Sequence, residues 1–197
     1  MPQLIFVVGG AGAGKTTIAK ALAGKRKLAF LDMDTLLRPA AVSIMTLKGL
    51  DPHDRDSAEY KRLCRDLGYR ITMDAAWENV AVGTDAIVIG PFTKETDDAD
   101  WLEQELRNAG LSQAEVDVKV ICVSLAGEET YRARFGARNS ELDRWKLDNW
   151  DSFKASLQPR MIRWRLKDDS VLYFDNSEAL ATERIALLER FLDGGLS

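Results

Sequence analysis

The chain has 197 residues, 46% of them hydrophobic and 29% charged, with a formal net charge of −4 and a pI near 5.2. That balance is globular and long enough to bury a full core as one domain, which excludes disordered and collagen-like chains. It offers no general attraction to nucleic acid or anionic membranes, and two distant cysteines, Cys64 and Cys122, exclude a disulfide framework and a zinc site.

The first predicted element is a strand at Leu4–Val8. It is apolar throughout and too short for a signal peptide or a membrane span, so the expectation is a cytoplasmic protein with no membrane partner. Directly after it comes Gly9-Gly10-Ala11-Gly12-Ala13-Gly14-Lys15-Thr16, which matches G-x-x-x-x-G-K-[ST] between a strand and the helix predicted over Thr16–Ala23. Glycines let a backbone wrap a phosphate with its N–H groups pointing inward, and the helix start adds positive potential. Gly9 to Thr17 are therefore expected to hold ATP, with Lys15 reaching the β- and γ-phosphates and the Thr16 hydroxyl on Mg²⁺.

The second strand, Leu28–Leu31, runs into Asp32-Met33-Asp34. In an extended segment, residues two apart point to the same side, so both carboxylates are expected to face the phosphates. Asp32 is assigned to Mg²⁺ through a water, and Asp34 to the acceptor hydroxyl as orienting group or general base. The other reading is that Asp34, before Thr-Leu-Leu, caps a helix.

About residues 35–85 exceed a simple crossover and are expected to form a helical insertion, with Asp54–Val82 at helical spacing and interrupted at Gly68. Its cations Arg38, Arg55 and Arg70 are candidates to hold an acidic or phosphorylated acceptor. The polar run Asp51–Ser57 reads as a helix-capping loop, with His53 at the surface. The third strand, Ala86–Ile89, ends in Gly90-Pro91-Phe92-Thr93, either the wall of an acceptor pocket, with Phe92 against the substrate, or an ordinary turn capped by Thr93. A helix is predicted over Glu95–Ala109, stopped at Gly110.

The fourth strand, Val118–Val123, precedes a helical stretch over Glu128–Leu157 that carries Arg132, Arg134 and Arg138. Arg134 and Arg138 share one helical face. They are expected to stabilise charge on the transferring group, Arg134 first, with Arg132 toward solvent; solvated pairing with nearby acids is the other reading. Trp145, Trp150 and Trp164 read as core or lid packing. The last strand, Val171–Phe174, ends at Asp175, which suits a turn or an adenine-side loop. Ser177 is expected to cap a helix over Glu178–Leu192. Apolar strands alternating with helices call for a doubly wound α/β sheet.

Taken together, Gly9–Thr17, Asp32-x-Asp34, Gly90–Thr93, Arg134-x-x-x-Arg138 and Phe174–Ser177 make the chain similar to P-loop small-molecule kinases. That group includes gluconate and shikimate kinases, chloramphenicol phosphotransferase and zeta-type toxins. The resemblance implies a nucleoside-monophosphate-kinase-like P-loop NTPase fold, a five-stranded parallel sheet of order 2-3-1-4-5. It also implies an acceptor site under the insertion and a lid at about 126–145 carrying Arg134 and Arg138. In such kinases the position of Asp34 commonly holds the acceptor hydroxyl. The chain departs from gluconate and shikimate kinases in its longer insertion and in lacking their glycine-rich turn after the third strand.

The function that follows is transfer of the γ-phosphoryl group of ATP to a hydroxyl of a metabolite, nucleoside or antibiotic, by a monomer or homodimer. One alternative is a zeta-type toxin kinase acting on a nucleotide sugar. Another is an NTP-gated binding module without an acceptor, although the N-K-x-D and D-x-x-G motifs of regulatory GTPases do not occur. The acidic balance argues against a nucleic-acid substrate.

Overall fold

Strands β1 (Gln3–Gly9), β2 (Ala29–Asp32), β3 (Ala86–Ile89), β4 (Asp117–Ser124) and β5 (Val171–Asp175) grow from the five apolar runs of the sequence. They form one parallel sheet in the order β2-β3-β1-β4-β5, the order that the family resemblance implies. This is a computed structural model, and it describes residues 1–55, 57–138, 147–158 and 160–195. The continuous apolar spelling of the inner strands has its cause in double-sided burial: every residue of β1 and β3 is buried, whereas the edge strands β2 and β5 are only partly so.

Alternation along each strand divides the core in two. Ile5, Val7, Ile87, Ile89, Ile121 and Val123 face a layer made by α1 (Lys15–Arg26), α6 (Glu128–Arg138) and α8 (Thr182–Leu192). Leu4, Phe6, Val8, Val88, Val120 and Cys122 face α4 (Asp66–Ala81), α5 (Trp101–Asn108) and Trp164. Trp150, on the short α7 (Trp150–Phe153), packs in the first core and Trp164 in the second, as packing residues. Among the described residues, no helix is long and apolar enough to cross a membrane.

The insertion contains α2 (Met33–Leu47), α3 (Ala58–Tyr60) and a π-helical turn at Lys61–Arg65 that runs into α4. Leu37, Ala41, Met45 and Cys64 give it a small core of its own. Gly68 does not interrupt this helical stretch; the interruption is the π turn. Gly68 lies inside α4, where a Cβ would stand 2.8 Å from Cδ2 of Leu37, so its lack of a side chain lets α4 and α2 approach. The Asp51–Ser57 run caps as expected: Ser57 Oγ accepts the Tyr60 N–H at 3.1 Å, Asp54 takes the Ser57 N–H, and His53 is exposed. Ser177, by contrast, caps nothing, because α8 starts only after Ala181.

The turn after β3 holds a backbone that few side chains adopt. Phe92 has φ +42°, and its ring is fully buried against Phe6, Tyr69 and Trp101. Thr96 binds the Phe92 carbonyl through both its N–H and its hydroxyl, and the Tyr69 hydroxyl accepts the Phe92 N–H at 2.9 Å. Tyr69→Phe leaves that buried N–H without an acceptor and is expected to cost about 1–3 kcal/mol, read as a lower urea midpoint at unchanged m-value.

Candidate active site

The carboxyl ends of the strands carry the chemistry, as in other open α/β sheets. β1 leaves the sheet at Gly9 and the chain wraps through Gly10, Ala11, Gly12 and Ala13 into α1. Gly14 closes this loop at φ +94°, and a Cβ there would fall 2.3 Å from Nδ2 of Asn176; one at Gly12 would fall 2.7 Å from Cζ of Phe135. The glycines are needed both for the curve and for the close approach of these neighbours. The first turn of α1 contains no acidic residue and no side chain caps it, so its positive end is available to an anion. Lys15 Nζ bends back over the loop and donates to the Gly10 carbonyl at 2.8 Å. Thr16 is half-buried in the first turn, with Thr17 exposed beside it.

The two acids stand differently from expectation. Asp32 ends β2 and caps α2, its carboxylate accepting the Asp34 N–H at 3.0 Å. Asp34 therefore lies in the first turn of a helix and not on an extended segment; the same-side argument does not apply, and the cap is Asp32 rather than Asp34. Asp32 pairs with Ile89 on β3, and Ile89 with Val7 on β1. Two strand spacings put it about 10 Å from β1 along the sheet. The Asp32 carboxylate and Thr16 hydroxyl are hard oxygen donors suited to Mg²⁺, an ion that keeps several waters and needs few protein ligands.

Asp34 is exposed in the first turn of α2. Burial, first, pushes the Tyr60 phenol up; Arg55 pulls against it and Asp34 adds to it. The same Asp34 charge reaches Tyr69, whose phenol is raised chiefly by burial and then by Glu95. The Tyr60 phenol thus feels both Arg55 and Asp34, and the Tyr69 phenol feels Asp34 more weakly than Glu95. Arg38, exposed, lies one helical turn beyond Asp34 on α2. Arg70 goes elsewhere, bound to Asp74 at 2.7 Å and to Glu105 at 3.0 Å in a groove between α4 and α5 that includes Trp77. Phe92 belongs to the core, so its ring cannot be the pocket wall.

Arg65 was missed in the sequence. It leaves the π turn toward the β3 turn, donating to both oxygens of Glu95 at 3.0 Å and to Thr93 Oγ1 at 3.2 Å, with its guanidinium 4.7 Å from the Tyr69 ring centroid. Thr93 is thus tied to the insertion and is not a helix cap. The spacing of four between Arg65 and Tyr69 was a visible signal, since it puts both on one helical face. π turns recur at functional sites, where one extra residue re-aims the side chains that follow.

On the other flank, the Arg134 guanidinium lies against the phosphate loop, where it holds main-chain carbonyls. Its guanidinium donates to the carbonyls of Ala13 at 3.4 Å, Ser177 at 3.4 Å and Asn176. Asn176 Nδ2 also donates to the Ala13 carbonyl, at 2.9 Å. These bonds clamp the phosphate loop to α6 and to the loop after β5. Asp175 is held below the usual carboxylate range, first by the Ser177 hydroxyl, against partial burial; it shapes the turn, as expected. Arg132 is exposed, over the Trp150 ring. The Arg138 side chain and Trp145 lie outside the described residues.

A family model described as an AAA domain matches residues 4–160. Three solved structures share the fold. A protein from Chloroflexus aurantiacus J-10-fl, provisionally described as a kinase, has 19% identity and a TM-score of 0.69 over 98% of this chain and 97% of that one. A sugar kinase from Janibacter sp. HTCC2649 has 19% identity and a TM-score of 0.61, over 98% and 95%. A gluconokinase from Sinorhizobium meliloti 1021 has 15% identity and a TM-score of 0.54, over 100% and 98%. No curated protein matches the sequence.

Proposed function

This chain belongs to the AAA domain family, and from that premise we propose that it is an ATP-dependent phosphotransferase acting on a hydroxyl of a small molecule. One observation carries the reading. The glycine loop that follows β1 and Asp34, two residues past the end of β2, lie at the same carboxyl edge of one parallel sheet. A transferring phosphoryl group needs a holder on one side and an oriented hydroxyl on the other, and little more.

In this reading Gly9 to Thr17 bind the triphosphate and Lys15 moves from the Gly10 carbonyl onto the β- and γ-phosphates. Thr16 and Asp32 hold Mg²⁺, which supplies neutralisation of phosphate charge when bound. Asp34 accepts the proton of the acceptor hydroxyl, and Arg38 and Arg55 bind the acceptor's polar groups. The insertion at about 35–85 covers the acceptor, and the segment at about 126–145, with Arg138, closes over the nucleotide within one kinase domain. Two buried, free cysteines suit a reducing cytoplasm.

The test is ADP release by the purified protein over a panel of sugars, sugar acids, nucleosides and antibiotics. Turnover stimulated by one class at least tenfold over water alone is the expected result. ATP binding with no stimulation by any acceptor would favour a nucleotide-gated binding module instead.

A further inference from the structure

The charge-stabilising group expected on α6 is Arg134, and its guanidinium is occupied by three main-chain carbonyls. A different arginine, Arg160, makes no such bond among the described residues. Arg160 enters where its own carbonyl accepts from Cys122 Sγ at 3.4 Å. Cys122 lies on β4 opposite Val8, one residue before the level at which β1 opens into the phosphate loop.

The chain beyond Arg160 is strapped across the same edge. Ile162 N–H donates to the Tyr173 hydroxyl on β5, Arg163 N–H to the Thr96 carbonyl at 2.9 Å, and Trp164 Nε1 to the Glu95 carbonyl at 2.6 Å. This strap runs from the β4–β5 side to the turn after β3. Arg163 and Arg165 nearby have acidic partners, Asp97 and Asp100. Arg160 has none among the described residues, and its Nε is buried without any hydrogen-bond partner. A buried donor of that kind is costly unless something accepts from it.

We propose that Arg160 binds the γ-phosphoryl group, opposite Lys15. The inference rests on the phosphotransferase reading above. In the step itself the acceptor oxygen bonds to phosphorus as the bond from phosphorus to the β–γ bridging oxygen breaks. The electron pair leaves with ADP, and the hydroxyl proton goes to Asp34. Arg160 donates to an equatorial γ-oxygen throughout, where a planar fork matches a phosphoryl group. The Cys122 thiol supports the placement: burial raises it, while the charges of both Arg160 and Lys15 pull it down, so one thiol feels both cations.

ATP and ADP differ by the group in question, which makes the test a binding measurement that needs no acceptor. Titrations of both nucleotides with Mg²⁺ are compared for the unmodified protein, Arg160→Gln and Arg160→Lys. Arg160→Gln is expected to weaken ATP about tenfold and ADP less than twofold, with Arg160→Lys in between. Loss of both affinities alike, or of neither, in variants with an unchanged melting temperature overturns the assignment. If Arg160→Gln melts early, Arg160→Lys alone decides: an unchanged ATP-to-ADP ratio overturns it. Should the unmodified protein bind neither nucleotide, the phosphotransferase reading itself falls, an outcome distinct from failure at Arg160.

Discussion

Replacing Lys15 by methionine is expected to lower kcat by about a thousandfold while leaving the fold intact. The methylene stem is kept, so the packing around the loop survives, and the hydrogen bond to the Gly10 carbonyl is removed. What disappears is the only cation that the loop itself brings to the triphosphate. In a site that excludes water, one aimed charge is worth far more than at a surface. The variant's melting temperature should fall by no more than a few degrees, since the lost bond is worth about 1–3 kcal/mol at most. Acceptor-dependent ADP release close to the normal rate would remove Lys15, and with it the phosphate reading of the loop.

Asp34→Asn is the second large effect. Asparagine preserves size and can still hydrogen bond a hydroxyl, but it cannot take a proton. kcat should fall about 10²- to 10⁴-fold with KM for ATP unchanged, the pattern of an interaction made only in the transition state. Stability should change little. Asp34 is an exposed residue in the first turn of α2, where a negative charge contributes about 0.3–1 kcal/mol through the helix dipole. A variant with normal kcat would put the acceptor elsewhere. A variant that loses ATP affinity instead would make Asp34 part of the nucleotide site.

How far the sequence carries the fold can be argued strand by strand. The five apolar runs each lie within a strand to within a residue, most cleanly in β1 and β3, where burial on both faces leaves few polar positions to blur the ends. The phosphate loop is equally legible, since its spelling follows from the backbone it must adopt. Helix starts are less so. Asp32-Met33-Asp34 looks extended because Leu28–Leu31 is, yet the chain turns helical at Met33 once Asp32 can cap it. Ser177 has a cap's identity but bonds instead to Asp175 and to the Ala126 N–H, and α8 begins later. Identity states what a side chain can do; only the neighbours decide what it does.

The site divides in the same way. Asp34 and the insertion that surrounds it are readable in outline, but arginines are not. Of those singled out, Arg134 holds backbone carbonyls and Arg70 holds carboxylates. Arg65 escapes notice because its partner Glu95 is 30 residues away along the chain. Long flexible side chains reach distant elements, and sequence spacing carries no record of that.

The strand order has a consequence for how the protein is made. β1 is the middle of the sheet, yet it is synthesised well ahead of both strands that flank it. Gln3 reaches Asp85 across 82 residues and Asp117 across 114. At about 5–20 residues per second, a ribosome needs roughly 4–16 seconds to supply the first of these partners. Until then Leu4–Val8 is a fully apolar strand with both edges bare, the kind of segment that recruits other nascent chains. Pairing of β1 on the ribosome must wait for β3, and the strand that leads into the phosphate loop is the one left bare longest.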